Sequence, residues 1–343
     1  MTDISKQEDI APFAVTMGDP AGIGPEVIAK AWAVRKAQRL APFFVIGDSK
    51  AIARVWNGPI ATISGPDEAT ACFDEALPCI QLSNGSEVTP GEPTPEGAQC
   101  ALHALEIGIG LAKTSSAAAL VTAPVGKAQL YAIGFTHPGQ TEFIAERCGI
   151  ARSNAVMMLA GPSLKVVPLT IHIPLRDVPT SLSTQLICDR ALVTAKGMRK
   201  NFGIANPRIA VAGLNPHAGE NGNIGREEIE IILPAIESLK AQGLDISGPF
   251  SPDGMFYPEA RRGYDVALCM YHDQALIPIK TLSFDEGVNM TLGLPIVRTS
   301  PDHGTAFGIA GKNAASPGAM IAAIRMAEKA ARTRAAMAEL DVD

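Results

Sequence analysis

The chain has 343 residues, of which 47% are hydrophobic and 19% are charged. Such a length suggests about two domains and a large buried core. The formal net charge of −6 argues against nucleic acid or an anionic membrane as the main partner. The N-terminal MTDISKQEDIAPF does not resemble a secretory signal, no apolar run is long enough to span a membrane, and the six cysteines include no C-x-x-C pair. We therefore expect a soluble cytoplasmic protein with free thiols.

Strand-like and helix-like segments alternate in the first half of the chain. In order, the patterns predict a strand at 13–17, a helix from Pro25, a strand at 43–47, a helix at 95–113, a strand at 118–123, and short helices around 126–133 and 140–148. Pro25 suits the first turn of a helix. Residues 54–97, which are rich in Pro, Gly and Ser, show no clear pattern.

The alternation continues in the second half. The patterns predict strands at 156–161, 164–171, 209–214 and 265–270, and helices at 183–201, after Gly225, and from Pro317 to about Ala338. The strands at 156–161 and 164–171 could pair as neighbours. The whole series predicts an α/β fold with a largely parallel sheet. No linker is visible, so two domains would have to be joined by segments that cross between them.

A glycine-rich loop, GDPAGIGPE (18–26), joins the first strand to the first helix. Its backbone N–H groups could cradle an anion at the start of the helix. The loop lacks the third glycine of the dinucleotide-binding fingerprint, and the chain has no Walker A motif. A tight turn that needs glycine dihedral angles explains the loop equally well.

Three of the six histidines stand just past the ends of predicted strands. They are His172 in VVPLTIHIP, His217 in RIAVAGLNPHAG and His272 in DVALCMYHDQ. In open α/β sheets, ligands bind beyond the carboxyl ends of the strands, and imidazole is a good ligand for zinc and similar divalent metals. The pattern favours a shared metal site, although each histidine alone is more typical of a structural role.

The stretch from Tyr271 to Arg298 is rich in polar residues in an apolar context. Lys280, Asn289 and Arg298 could together bind a phosphate or carboxylate, with Arg298 as a bidentate donor and Lys280 as a point charge. On composition alone, Lys280 and Arg298 are better explained as solvated surface charges.

With these residues in view, the chain closely resembles the 4-hydroxythreonine-4-phosphate dehydrogenase family of vitamin B6 biosynthesis. The resemblance covers about residues 13–330. Its motifs here are TMGDPAGIGPE, VTAPVGK, PGQTEF, PLTIHIPLRD, GLNPHAGENG, MYHDQ, GVNMTLGLPIVRTSPDHGTA and GIAGK. The set is very specific, whereas most of its members would be weak alone.

The resemblance extends to the isocitrate and isopropylmalate dehydrogenase superfamily and implies that fold. We expect two α/β/α domains with an active-site cleft between them. A discontinuous cofactor-side domain would comprise residues 1–140 and 285–343, and a domain for metal, substrate and dimerisation would comprise 141–284. The segment DHGTAFGIAGKNAASP resembles the superfamily's adenosine-binding segment, which makes His303, Gly304 and Gly311 the expected cofactor-binding residues.

The resemblance also assigns roles in the active site. It implies that His172, His217 and His272 bind one divalent metal, which could be Zn, Mg, Co or Mn, and that both subunits of a homodimer contribute ligands. The substrate-contacting residues that it implies are Gln140, Thr141, Lys280, Asn289 and Arg298. Where the family commonly has G-H-T-E, this chain has G-Q-T-E, and Gln140 cannot carry the charge that a histidine can.

The implied reaction is oxidation and decarboxylation of 4-phosphooxy-L-threonine to 3-amino-2-oxopropyl phosphate, with NAD or NADP as oxidant. Lys280 and Asp253 are the candidate proton acceptors, while Asp273 could orient His272. Because of Gln140, the substrate could instead be 4-phosphothreonate or 4-phosphoerythronate. An alternative from a different functional class is a three-histidine metallohydrolase. A scaffold protein is less favoured, because it would not need the cluster from Lys280 to Arg298.

Overall fold

A computed structural model of the chain describes residues 10–82 and 88–340. The prediction about a secretory signal falls on the N-terminal segment, most of which lies outside the described residues. Within these ranges, no helix is long and apolar enough to cross a membrane, and all six cysteines are free.

Strands and helices alternate as predicted, but the described residues form twelve strands where the sequence patterns predict seven. The strands are β1 (Phe13–Thr16), β2 (Phe43–Gly47), β3 (Ile60–Thr62), β4 (Leu77–Gln81), β5 (Leu120–Thr122), β6 (Val156–Ala160), β7 (Lys165–Thr170), β8 (Ile209–Ala212), β9 (Ile246–Phe250), β10 (Val266–Tyr271), β11 (Val288–Leu292) and β12 (Arg298–Pro301).

The helices connect successive strands. They are α1 (Gly24–Ala33), α2 (Arg35–Gln38), α3 (Ser49–Val55), α4 (Ala69–Cys72), α5 (Pro95–Lys113), α6 (Lys127–Ala132), α7 (Gln140–Arg147), α8 (Val178–Ser181), α9 (Thr184–Phe202), α10 (Leu233–Ala241), α11 (Pro258–Arg261), α12 (His272–Ser283) and α13 (Gly318–Leu340). The α/β fold class is confirmed.

The chain divides into two compact units, of which the first comprises 1–139 and 295–343. Its strands run in the order β3-β4-β2-β1-β5-β12, and every pairing in that series is parallel. Parallel strands are covered on both faces and consist of continuous apolar runs. Phe13–Thr16 and Phe43–Gly47 follow this rule, since every residue in them is buried.

The glycine-rich loop 18–26 is a buried strand-to-helix turn. Its backbone N–H groups have partners within the unit: Asp19 donates to Pro124 O, Gly22 to Asp19 O, and Ile23 to Thr305 O. Burial raises the pKa of the Asp19 carboxyl, although the N–H of Ala21 opposes this shift by donating to it. Of the two interpretations of this loop, these hydrogen bonds favour the tight turn.

The second unit comprises residues 140–294, with strands in the order β11-β6-β7-β10-β8-β9. The pairs β7-β10, β10-β8 and β8-β9 are parallel, whereas β6 pairs antiparallel with both β7 and β11. The predicted pairing of the strands at 156–161 and 164–171 is therefore confirmed. A core cluster that includes Leu159, Val166, Ala267 and Ile279 packs β6, β7 and β10 against α12.

The observed and predicted domain boundaries differ mainly where the chain passes from the second unit back into the first. The prediction ended the middle domain at residue 284, but the second unit extends to Leu294. The reason is β11, whose five residues pair with β6. The predicted division of cofactor and substrate roles between the two units, and the cleft between them, stay predictions.

Candidate functional site

Two predicted metal ligands lie at the carboxyl ends of neighbouring parallel strands in the second unit. β7 and β10 pair in register with Thr170 opposite Tyr271. His172 comes two residues after Thr170, and His272 follows Tyr271 directly. The register therefore brings the two imidazoles together, with ring centroids 5.5 Å apart.

Buried polar side chains fix these strand ends. The hydroxyl of Thr170 donates to the carbonyl oxygen of Met270 at 2.8 Å. Gln274, also buried, accepts from the N–H of Met270 at 2.6 Å and donates to the carbonyl oxygen of Gly213 at 2.8 Å. Gly213 follows β8 and begins the loop that bears His217. The amide of Gln274 thus joins the ends of β10 and β8, and it fixes the position at which the loop bearing His217 begins.

Two adjoining depressions carry the candidate site. The first has a volume of about 210 Å³ and is lined by Thr170, His172, Ile173, Leu175, Val178, Tyr271, His272 and Asp273. The second, of about 480 Å³, is lined by His272, Asp273, Leu276, Ile277, Lys280, Thr281 and Phe284. His272 and Asp273 belong to both. The structure therefore brings the predicted residues His172, His272 and Lys280 into one region.

Carboxylates orient two of the predicted metal ligands. Asp273 Oδ1 lies 2.6 Å from Nδ1 of His272, and Glu220 Oε2 lies 3.1 Å from Nδ1 of His217. An ionised carboxylate only accepts hydrogen bonds, so each Nδ1 donates to its carboxylate, and Nε2 is the nitrogen left to bind a metal when the imidazole is neutral. Metal-binding histidines usually have this arrangement, in which the nitrogen away from the metal donates to a carboxylate.

His217 stands apart from the other two histidines. It lies in a one-turn segment, Pro216–Gly222, and its side chain is 67% exposed. Among residues 10–82 and 88–340, no group of three or more His, Cys, Asp or Glu side chains could hold a metal ion. One chain therefore brings two of the three predicted ligands together.

Asp253, one candidate proton acceptor, is exposed and close enough to His217 to be affected by its charge. A hydrogen bond from the Ser251 hydroxyl lowers the pKa of the Asp253 carboxyl, and the charge of His217 contributes to the same shift. The arrangement places a carboxylate beside a predicted metal ligand and stabilises its ionised form.

Three predicted substrate contacts lie on other elements of the second unit. Gln140 and Thr141 begin α7 and are half-buried. Asn289 lies on β11, opposite Leu159 of β6. Among the described residues that line the two depressions, none of the three is present.

The remaining predicted residues belong to the first unit. Arg298 begins β12, is buried, and donates from Nη2 to the Thr122 hydroxyl at 2.7 Å. Nδ1 of His303 lies 3.1 Å from the carbonyl oxygen of Gly304, where an added Cβ would meet open space. Gly311 has φ +73°, and an added Cβ would come 2.7 Å from Pro90 Cβ. The 311 position thus requires glycine, whereas the 304 position leaves room beside the backbone.

The segment that bears these cofactor candidates is held by the start of α1. Ile23 N–H donates to the Thr305 carbonyl at 2.9 Å, and Ala315 N–H donates to the buried Glu26 carboxylate at 3.1 Å. The region 303–315 is therefore a loop whose two ends are fixed to one helix terminus, as a preformed ligand-binding loop needs.

Gln274 and Glu220 are supporting residues that the sequence reasoning missed. Both lie within the recognised motifs, since Gln274 closes MYHDQ and Glu220 lies in PHAGENG. A polar residue two or three positions past a predicted ligand, at the start of a helix or in a loop, is the signal that could have identified them.

Comparisons with known proteins show the family of this chain. Residues 39–327 match the family model of the pyridoxal phosphate biosynthetic protein PdxA. A protein of Zymomonas mobilis named 4-hydroxythreonine-4-phosphate dehydrogenase is 59% identical over 97% of this chain and 99% of its own length. One of the same name from Erythrobacter litoralis is 53% identical over 94% of this chain and 98% of its own.

A solved structure agrees as well. The crystal structure of 4-hydroxythreonine-4-phosphate dehydrogenase from Klebsiella pneumoniae covers 95% of this chain and 99% of its own, with a TM-score of 0.85 at 37% identity. The resemblance drawn from the motifs is thereby confirmed, and this chain belongs to the family of the pyridoxal phosphate biosynthetic protein PdxA.

Proposed function

We propose that this chain is a metal-dependent dehydrogenase that uses NAD or NADP to oxidise and decarboxylate 4-phosphooxy-L-threonine, giving 3-amino-2-oxopropyl phosphate for pyridoxal 5'-phosphate biosynthesis. The observation that carries the proposal is the 59% identity, over nearly the full length of both chains, to a protein named for this activity. The paired imidazoles of His172 and His272 supply a metal site that fits it.

The donor set suits a divalent metal. His172 and His272 face one depression, and the carboxylate beside His272 leaves its Nε2 as the ligand atom. With a third imidazole from His217, such a site keeps positions open for substrate. A bound divalent ion would supply positive charge that lowers the pKa of the substrate hydroxyl, while the nicotinamide accepts hydride.

The chain's own residues bind the substrate and move its proton. Lys280 lines the same depression as His272, which supports its proposed role of holding the substrate's carboxylate or taking the hydroxyl proton. Asp253 is the weaker candidate, because a carboxyl whose pKa is lowered is a poor proton acceptor near neutral pH. Gln140, Thr141, Asn289 and Arg298 remain the proposed contacts to the phosphate and amino acid groups.

The cofactor is proposed to bind at the loop around 303–311. The fit is geometric: the backbone at Gly304 is open, and Gly311 adopts a conformation that side chains disfavour. The hydrogen bonds from Ile23 and Ala315 hold this loop before a ligand arrives, which reduces the ordering entropy that binding would otherwise cost.

We further propose a homodimer in which His217 of one subunit completes the metal site of the other. Within one chain, His217 does not join the other two ligands in a metal-binding group of described residues. Large apolar side chains are exposed around the two depressions, including Leu175 (67%), Ile277 (65%) and Phe284 (78%). Exposed apolar side chains clustered in this way are typical of a protein interface.

The activity is tested by nicotinamide reduction with 4-phosphooxy-L-threonine, before and after chelation and then with divalent metals restored. Reduction that stops with the chelator and returns with metal supports the proposal. If the folded, metal-replete protein does not reduce NAD or NADP, the substrate assignment is wrong, and 4-phosphothreonate and 4-phosphoerythronate are the next substrates. No reduction with any of these would favour a hydrolase.

The shared site is tested by mixing two inactive variants, His217→Ala and His272→Ala, under conditions that allow subunit exchange. If each site takes His272 from one subunit and His217 from the other, a mixed dimer has one intact site and one doubly altered site. Random exchange should then restore about a quarter of the wild-type activity. No recovery, despite mixed dimers detected by native mass spectrometry, would place His217 and His272 of each site within one subunit.

A further inference from the structure

The loop that bears His217 has an unusual backbone conformation. Residues 217–221 form a left-handed turn, with φ values of 51°, 51°, 80°, 44° and 56°. Gly219 is the only glycine among them. L residues disfavour this region because Cβ approaches the following carbonyl oxygen. Such a turn persists only where surrounding interactions determine it.

A buried carboxylate holds the start of this turn. Glu228 is 2% exposed, and its Oε1 accepts from the backbone N–H groups of Leu214 at 2.7 Å and Asn215 at 2.8 Å. Its Oε2 accepts from Nδ2 of Asn215 at 2.9 Å. One side chain therefore satisfies three donors in the residues that lead into the turn.

The same carboxylate fills the inside of the loop. A Cβ added to Gly219 would lie 2.6 Å from Glu228 Oε2, and one added to Gly213 would lie 3.1 Å from Oε1. The carboxylate thus contacts the entrance and the middle of the segment that carries His217. Without it, the loop would lose both its hydrogen-bond acceptor and its packing.

The element that presents Glu228 is also irregular. Glu228–Ile232 form a π-helical turn ahead of α10, and such turns are often found at functional sites. Glu228 is its first residue. The adjacent Glu227 also accepts from Nδ2 of Asn215, at 2.7 Å, so two carboxylates converge on one amide.

We propose that Glu228 is a positioning residue for metal binding, because its carboxylate sets the left-handed turn and so the direction in which His217 leaves the loop. The inference rests on the proposed function, in which His217 binds the metal. The inference adds Glu228, which lies on a different element from the three proposed ligands and affects metal affinity only through the position of His217.

The test is Glu228→Gln, which keeps the shape of the side chain but replaces one acceptor oxygen with an NH2 donor. The neighbouring groups of Leu214 and Asn215 are themselves donors, so this NH2 group cannot replace the lost acceptor. Zinc affinity of the metal-free, full-length protein is measured by isothermal titration calorimetry. We expect about tenfold weaker binding, as is typical when a residue that orients a metal ligand is changed. Glu230→Gln is the matched control, since Glu230 lies on the same π-helical turn but is exposed and pairs with Arg226; its zinc affinity should equal that of the wild type.

A double-mutant cycle distinguishes positioning from a general structural role. If Glu228 acts through His217, then Glu228→Gln should weaken zinc binding in the wild type but have no further effect in His217→Ala. An equal weakening in both backgrounds, or unchanged affinity in Glu228→Gln, would overturn the inference. If His217→Ala itself binds zinc as the wild type does, the proposed metal site is wrong and the inference is wrong with it.

Asn215→Ala keeps the test valid if Glu228→Gln does not fold. This variant removes one hydrogen bond to Glu228 and leaves the two backbone ones. Folding is checked by circular dichroism and thermal unfolding without metal. We expect zinc binding that is about threefold weaker, and unchanged affinity in a folded Asn215→Ala would contradict the inference.

Discussion

Two of the proposed metal ligands have backbone conformations that are rare for residues other than glycine. His172 has φ 56° and His217 has φ 51°, whereas His272 lies at the start of a regular helix. Backbone strain of this kind is concentrated at functional sites, where the surrounding structure maintains it.

Substitution of Lys280 is the most direct test of the proposed chemistry. We expect Lys280→Met to reduce kcat/KM by about a hundredfold, because the variant lacks the ammonium group that holds the substrate or takes its proton. Steady-state kinetics separate the two roles: loss of binding raises KM, whereas loss of proton transfer lowers kcat.

Thr281→Ala is the control for this variant. Thr281 lines the same depression, but its hydroxyl donates to Ile277 O within the helix. The kcat/KM of Thr281→Ala should therefore stay close to that of the wild type. Unchanged kcat/KM in Lys280→Met would exclude Lys280 from the active site.

At the scale of elements, a surface ion pair joins the starts of β8 and β10. The guanidinium of Arg208 binds Asp265 with two nitrogens, and the N–H of Arg208 donates to the same carboxylate at 2.8 Å. These contacts lower the pKa of Asp265, chiefly through the hydrogen bonds from the Arg208 side chain. The pair lies at the opposite end of β10 from His272, and it fixes the start of β10 to the start of the neighbouring strand β8.

We expect Asp265→Asn to lower the free energy of unfolding by about 1 kcal/mol at pH 7, a modest value because Arg208 is largely exposed. Since the pKa is lowered in the folded state, this stabilisation is present above the ordinary value of 3.8. It is lost as the pH falls through the lower, folded-state pKa. Urea unfolding at a series of pH values should therefore show that the difference in free energy of unfolding between wild type and Asp265→Asn becomes smaller below pH 3.8. Asp245 is a nearby exposed carboxylate, so Asp245→Asn should differ less from the wild type at every pH.

The elements that sequence patterns predicted are those with simple apolar periodicity. β1, β2, β7 and β10 are buried apolar runs. β4 and β12 were missed for physical reasons. β4 contains Pro78 and ends exposed, and β12 is Arg-Thr-Ser-Pro, whose burial depends on partners such as Thr122 and Ala323. α12 was missed because Pro278 lies inside it.

For the candidate site, the sequence patterns offered candidate residues but not their arrangement. The rule that ligands lie beyond strand ends identified His172 and His272 and is consistent with their 5.5 Å separation. No local pattern could reveal that His217 does not join them within one chain, because that depends on the left-handed turn that follows β8.

At the scale of the whole molecule, residues from both ends of the chain meet in the first unit. Nζ of Lys30 donates to the buried carboxylate of Glu26 at 2.7 Å and to the carbonyl oxygens of Asn313 and Ala315. The pair thus joins α1 to a loop that lies 285 residues further along the chain. The hydrogen bonds from Lys30 and Ala315 to Oε1 compensate for only part of the burial of Glu26, because its buried Oε2 has no hydrogen-bond partner among the described residues.

We expect Lys30→Met to lower the free energy of unfolding by about 3 kcal/mol, because it leaves the Glu26 carboxylate buried without its cation. The double variant Glu26→Gln/Lys30→Met should recover part of this loss, since the buried charge is then absent. Urea denaturation measures both, and Lys36→Met, on the exposed helix α2, should be close to neutral. A double variant less stable than Lys30→Met would show that the carboxylate stabilises the fold without its partner.

The position of the second unit within the chain has a consequence for biosynthesis. Residues 140–294 form one uninterrupted segment, whereas the first unit needs residues on both sides of it. On the ribosome, the inserted unit is therefore complete before its host. Until Arg298–Pro301 emerge, β5 has a free edge that β12 later covers, and an unpaired strand edge is a site of aggregation. The nascent chain is most vulnerable while the second unit is being translated, and a chaperone that binds that edge would protect it during this interval.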